Sequence, residues 1–238
     1  MSSLDAAIDV ADVDSSNLWV IYGKSQSGKT EFLSTLPKPI LLILIGDDGT
    51  RTLKNKKGMK ILRAETPSDI KTYLRDAMKD KKYASVAVDT FSLAVNVWIE
   101  THAIAKGKKM TMQMWGDLGA DMNEIIKAAH ILSAKKVVAL TCHELADSIE
   151  GYEDEIVPDI RPNMNRFSRT YLEGMANYGI HTTVVEKEKD DKTLNVFMAH
   201  VSPNPYYWAK IQKPKEVKMP KMMANPTYPK IMKKVSGE

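Results

Sequence analysis

Val20-Ile21-Tyr22-Gly23-Lys24-Ser25-Gln26-Ser27-Gly28-Lys29-Thr30 is the stretch whose reading decides the fold. It is an apolar run that ends in G-x-x-x-x-G-K-T. Gly23 and Gly28 let the backbone curl tightly, so that the N–H groups between them, through Lys24, Ser25, Gln26 and Ser27, turn inward. With the positive end of the helix that follows, opened by Glu31, they form a cradle for a triphosphate. Lys29 supplies a mobile charge for the β- and γ-phosphates, and the Thr30 hydroxyl is a ligand for Mg²⁺. The flanks agree with this reading. Residues 17–22 are short and mostly apolar, as a central strand should be, and residues 31–36 read as a short helix stopped by Pro37. Strand, glycine loop and helix in that order predict an α/β fold with ATP and Mg²⁺ as ligands.

Working outward, residues 39–45 (PILLILI) form a continuous apolar run, expected for a parallel strand buried on both faces. Asp47 and Asp48 follow at its C-terminal tip, where an open α/β sheet faces its ligand, and either is a candidate to orient water or contact metal. Thr66-Pro67-Ser68-Asp69 predicts a helix start, with Thr66 or Ser68 as the cap. Residues 84–90 (ASVAVDT) carry apolar residues into Asp89, a Walker-B pattern that places a carboxylate beside the metal. Residues 137–144 (VVALTCHE) are a further strand, which puts His143 at the same edge as a candidate sensor of the γ-phosphate.

Two basic stretches leave that edge. Lys106, Gly107, Lys108 and Lys109, followed by Met112, Met114 and Trp115, suit a nucleic-acid backbone with its bases against flexible apolar groups. Residues 145–169 lack periodicity and carry Arg161, Arg166 and Arg169, so they read as a long functional loop. Helices are expected over 92–105, 115–134 and 171–178, and a hairpin over 180–200. From Ser202 onward six prolines and many lysines predict a segment that wraps the core. The division expected is 1–16 as an acidic N-terminal segment, 17–201 as the ATPase core, and 202–238 as a Pro/Lys-rich extension.

The composition bounds these readings. The chain has 238 residues, 43% hydrophobic and 27% charged, and a net charge of only +4, so bulk charge does not announce a nucleic-acid binder. A single cysteine, Cys142, excludes an intramolecular disulfide, and no apolar run approaches membrane length. A cytoplasmic location is the expectation.

With these pieces placed, the chain resembles the small phage-encoded nucleotide-binding proteins of the RecA superfamily, described as core-only recombinases or single-strand annealing proteins. The residues that carry the resemblance are 23–30, the Asp47-Asp48-Gly49-Thr50 turn, Val86-Ala87-Val88-Asp89-Thr90, Leu140-Thr141-Cys142-His143-Glu144 and Trp208-Ala209-Lys210. It implies a RecA-like P-loop core with a twisted, mainly parallel sheet flanked by helices. It also implies ATP between subunits of a homo-oligomer, single-stranded DNA on two central loops, and a possible single-strand-binding partner protein. Asp48 matches the water-polarising acid, usually a glutamate, and Asp47 is the fallback. Lys210 and Lys213 match basic residues that reach into a neighbouring site, although Lys lacks the bidentate fork of Arg at the second position. The expected function is a DNA-dependent ATPase promoting annealing or strand exchange. A helicase-like or packaging motor, and an ATP-switched DNA-binding module with negligible hydrolysis, are its rivals.

Overall fold

The computed structural model describes residues 16–46, 49–150, 156–189 and 192–237. The glycine loop is mounted on a mostly parallel sheet covered by helices on both faces. Strands β1 (Leu18–Gly23), β2 (Ile40–Ile45), β3 (Met59–Ala64), β4 (Ser85–Asp89), β5 (Val137–Glu150) and β7 (Tyr178–Lys189) run parallel in the order β3-β2-β4-β5-β1-β7. Strands β8 (Lys192–His200) and β10 (Met222–Ala224) extend the sheet antiparallel beyond β7. β1 and β2 are buried along their whole length, which is why they read as unbroken apolar runs.

Alternate residues of the strands feed two cores. On one face Leu18, Val20 and Tyr22 meet helices α2 (Pro67–Lys79), α3 (Leu93–His102), α4 (Met112–Ser133) and α5 (Arg166–Met175). On the other, Trp19 and Ile21 meet α1 (Lys29–Leu33) and, through Ile231 and Val235, α6 (Tyr228–Val235). Caps set the helix starts. Thr66 and Asp69 form a capping box with Pro67 in the first turn of α2, as the sequence predicts. Thr111 accepts from the Met114 N–H, so α4 begins at Met112, three residues before the expected start.

One expectation is overturned. Residues 145–169 are not a long loop. β5 runs past the sheet edge, and its outer half, Glu144 to Glu150, pairs antiparallel with β6 (Ile156–Pro162) to make a projecting hairpin arm. α5 then starts at Arg166, capped by Asn165, whose side chain accepts from the Ser168 N–H at 2.8 Å. Pro158 and Pro162 masked the second strand. They are tolerated because β6 is an edge strand, bridged on its far side only by the segment around Tyr207.

Residues beyond Ser202 contain only short elements. β9 (Lys210–Ile211) pairs with β7, β10 pairs with β8, and α6 packs into the second core. The Trp208 indole packs against Gly179, where a Cβ would stand 2.3 Å from it, so the strand there needs glycine.

Candidate functional site

Three strand ends converge on the glycine loop. β5 separates β1 from the Asp89 strand, and its register sets His143 opposite Gly23; on the other side β7 sets Thr182 opposite Gly23. The loop is therefore gripped from both flanks. Thr182 donates to the Tyr22 carbonyl at 3.2 Å, which leaves the buried Ser27 hydroxyl to donate to Thr182 at 2.7 Å. A Cβ at Gly23 would lie 2.2 Å from the Thr182 carbonyl oxygen, so the first glycine of the motif is required by close packing. Gln26 (φ 63°) and Gly28 (φ 91°) take left-handed conformations that turn the loop into the helix.

Lys29 is buried, and its ammonium donates to the carbonyls of Gly23 (2.9 Å) and Lys24 (2.6 Å). Burial pushes its proton affinity down, and the nearby Asp89 carboxylate partly offsets that. The ammonium is thus held on the loop itself, where a phosphate would replace the carbonyl contacts.

Thr30 and Asp89 lie side by side, with Thr30 Oγ1 donating to Asp89 Oδ2 at 2.8 Å. Thr141 and Thr90 both donate to Oδ1, at 2.5 and 3.1 Å, so Asp89 is almost fully buried yet held by three hydroxyls. Adjacent hydroxyl and carboxylate oxygens are the hard donors Mg²⁺ takes. Among the described residues no group of three or more His, Cys, Asp or Glu gathers at one point, so a metal here would rely on this pair plus phosphate and water. The donor set fits Mg²⁺.

The other sequence-predicted residues fall as follows. Glu31 is half-buried at the start of α1 and pairs with Lys56 at 2.5 Å, while Lys24, Ser25 and Gln26 are exposed along the loop. His143 is half-buried, and its N–H donates to Ser92 Oγ at 2.9 Å. Asp47 and Asp48 lie outside the described residues. Lys106, Lys108 and Lys109 are exposed between α3 and α4. Arg161, on the hairpin arm, is neutralised by Asp159 at 2.5 Å; Arg166 is exposed and Arg169 half-buried on α5. Lys210 donates to the carbonyls of Glu173 (3.2 Å) and Gly174 (3.0 Å) at the end of α5, and Lys213 to that of Val217. Within one chain, both late lysines are engaged on their own backbone.

Several groups at this edge were not singled out from the sequence. His181, also buried, shares a 2.7 Å hydrogen bond with Glu144 at the root of the arm, and Tyr207 stacks on both His181 and His200, whose rings also meet each other at 5.5 Å. Burial lowers His181 below the usual histidine range, against the opposing pull of Glu144. The signal available was the one used for His143: Thr182, like His143, is a polar residue at the tip of an apolar parallel strand.

A family model described as an AAA domain matches residues 16–212. The chain belongs to the AAA-domain family. Its members' P-loop character agrees with the loop, the Thr30–Asp89 pair and the interposed His143 strand, and makes this AAA-domain protein a nucleotide-binding ATPase in general type. The match also reaches past the sheet's parallel part to β9, so the hairpin arm and Trp208 lie inside the domain. A comparison with curated proteins gives no match. Among the described residues of this AAA-domain chain, no helix is long and apolar enough to cross a membrane.

Proposed function

We propose that this protein is an ATP- and Mg²⁺-dependent, RecA-like ATPase that binds single-stranded DNA as a homo-oligomer and promotes annealing or strand exchange in phage recombination. The observation that carries the DNA half is a surface that combines cations with exposed rings. Lys106, Lys108 and Lys109 lead into α4, whose first turns expose Trp115 (43%). One turn further along, the Gly119 carbonyl meets Ser168 Oγ at 3.4 Å, and beside Ser168 stand Arg166 and Phe167, the latter 80% exposed. Ammonium groups suit phosphates, and exposed rings suit bases that stack without sequence preference.

Assembly through Lys210 or Lys213 would require either lysine to leave its own carbonyl partners for a neighbour's nucleotide. That release would couple ATP binding to oligomer formation.

The test is fluorescence anisotropy on an oligo-dT strand across a salt series. Replacing Lys106, Lys108 and Lys109 together by Ala should weaken binding at least tenfold and flatten the dependence of log K on log salt by up to about 2, since each phosphate contact on a single strand contributes a slope of about 0.7. Phe167→Ala should weaken binding with the salt slope unchanged. Unaltered binding by both variants would remove the DNA reading and leave the P-loop ATPase.

A further inference from the structure

A cavity of about 460 Å³ continues from the outer side of the glycine loop along α1. Its near end is the loop and first helical turn, through Thr30 and Glu31. Its far wall comes from distant parts of the chain: Phe197 on β8, and Asn225, Pro226 and Thr227 between β10 and α6. The size is that of a small-molecule site, and the location is beside the phosphate cradle, where the rest of a nucleotide must go.

The far wall has recognition chemistry and a rigid mount. The Phe197 ring lies along the loop, so close that a Cβ on Gly28 would stand 2.8 Å from it, and it offers an apolar face to the cavity. Asn225 is held in a left-handed conformation (φ 45°). Its N–H donates to the Phe197 carbonyl at 2.6 Å, and its carbonyl accepts from Lys230 Nζ at 3.0 Å. With the backbone fixed at both ends, its carboxamide makes no hydrogen bond among the described residues. Thr227 accepts from the Lys230 N–H as the cap of α6, which leaves its hydroxyl proton available to a ligand. The next residue ties the wall to the core. The Tyr228 N–H donates to Thr35 Oγ1 at 2.9 Å, and the Tyr228 hydroxyl accepts from Asn17 at 3.2 Å. Ile231 and Val235 are buried behind it.

Asn225 to Thr227 lie beyond residue 212, where the family match ends. We infer that this C-terminal segment is the nucleoside clamp of the site: Phe197 stacks on a purine base, and the Asn225 carboxamide and Thr227 hydroxyl hydrogen-bond the nucleoside. The inference rests on the nucleotide reading of the loop and adds what that loop cannot supply, since phosphate binding alone does not distinguish one nucleoside triphosphate from inorganic polyphosphate.

Calorimetry in the presence of Mg²⁺, with ATP and with inorganic tripolyphosphate as separate ligands, tests it on the full chain. Wild type should bind ATP more tightly than tripolyphosphate. Phe197→Ala and Asn225→Ala should each weaken ATP by about tenfold, the scale of one ring–base stack, and leave tripolyphosphate unchanged, whereas Lys29→Ala should weaken both. Amide hydrogen exchange gives a readout independent of the variants: ATP should slow exchange over residues 225–235, and tripolyphosphate should not. If ATP and tripolyphosphate bind wild type equally, or the two wall variants weaken both ligands alike, the clamp is overturned while the phosphate loop stands. If wild type binds neither ligand, the nucleotide reading falls and the clamp with it.

Discussion

Thr141 is the most informative position at which to test how the candidate metal site is held. Its side chain is fully buried, and its hydroxyl donates to Asp89 Oδ1 at 2.5 Å. Thr141→Val preserves shape and removes that donor. Oδ1 then keeps only Thr90 at 3.1 Å, while Oδ2 keeps Thr30. Losing a hydrogen bond to a charged, buried group costs about 1.5–3 kcal/mol. The added methyl returns part of this, so a net loss of about 1–2 kcal/mol is expected. For a chain of this size that lowers the melting temperature by about 2–8 °C. Thr141→Ser is the control, because it keeps the hydroxyl and deletes one buried methyl, at about 1 kcal/mol or less. Urea unfolding of the three proteins ranks them, and Mg²⁺ titration of the nucleotide-bound form shows whether Asp89 has lost its aim. A Val variant as stable as wild type, with unchanged Mg²⁺ dependence, would refute the idea that Thr141 orients the carboxylate.

Gly23→Ala should cost about 1–3 kcal/mol or more and abolish nucleotide binding, because its Cβ would meet the Thr182 backbone carbonyl at 2.2 Å and that strand cannot retreat without losing its pairing. Gly116→Ala in α4, where nothing lies within 4 Å, should instead stabilise by up to about 1 kcal/mol, and thermal melts of the two variants check the contrast. A pH effect is expected from His181. Burial holds its folded-state value below the ordinary 6.5, so the unfolded chain takes up the proton first. Stability should be full above about 6.5 and fall as pH drops from there through the lower folded-state value. His200, lowered by burial and by His181, adds in the same direction. Urea midpoints at pH 7.5 and 5.5 should differ less in His181→Gln than in wild type, and an equal difference would show that the imidazole does not carry the effect.

Much of this architecture was legible because burial on both faces of a parallel sheet writes itself as unbroken apolar runs. Residues 39–45 and 84–89 could hardly be anything else, and the polar residues ending such runs pointed to Asp89 and His143. The hairpin arm was illegible for a related reason. β5 leaves the sheet at Glu144, so its apolar signal stops although the strand does not, and the prolines of β6 resemble loop punctuation. The cavity wall was illegible on different grounds. Phe197 reaches Gly28 through the β1–β7–β8 order and Asn225 reaches Phe197 through the β8–β10 pairing, and no local pattern reports contacts across so much chain. Within the loop itself, the grip of Thr182 on Ser27 depends on β7 lying next to β1, which the order of elements along the chain does not state.

The arm also poses a physical problem, since an isolated two-stranded hairpin is only marginally stable in water. The solution lies at its root. Tyr22, the last residue before Gly23, directs its hydroxyl to the carbonyls of Ile160 (3.0 Å) on the arm and Trp208 (2.7 Å) on the tail. Ile160 in turn exchanges backbone hydrogen bonds with Tyr206 and Trp208, which adds a third extended segment to the pair. Glu144 is fastened to His181, and His181 is stacked under Tyr207. The strand that carries the glycine loop therefore also supplies a phenol that ties arm to tail, and His143, opposite Gly23, is one residue from the point where the arm departs. Glycine loop, candidate sensor and arm share one junction of buried contacts. Tyr22 cannot shift without straining its hydrogen bonds to both segments, so the position of the strand that carries the loop is tied to that of the arm and the tail.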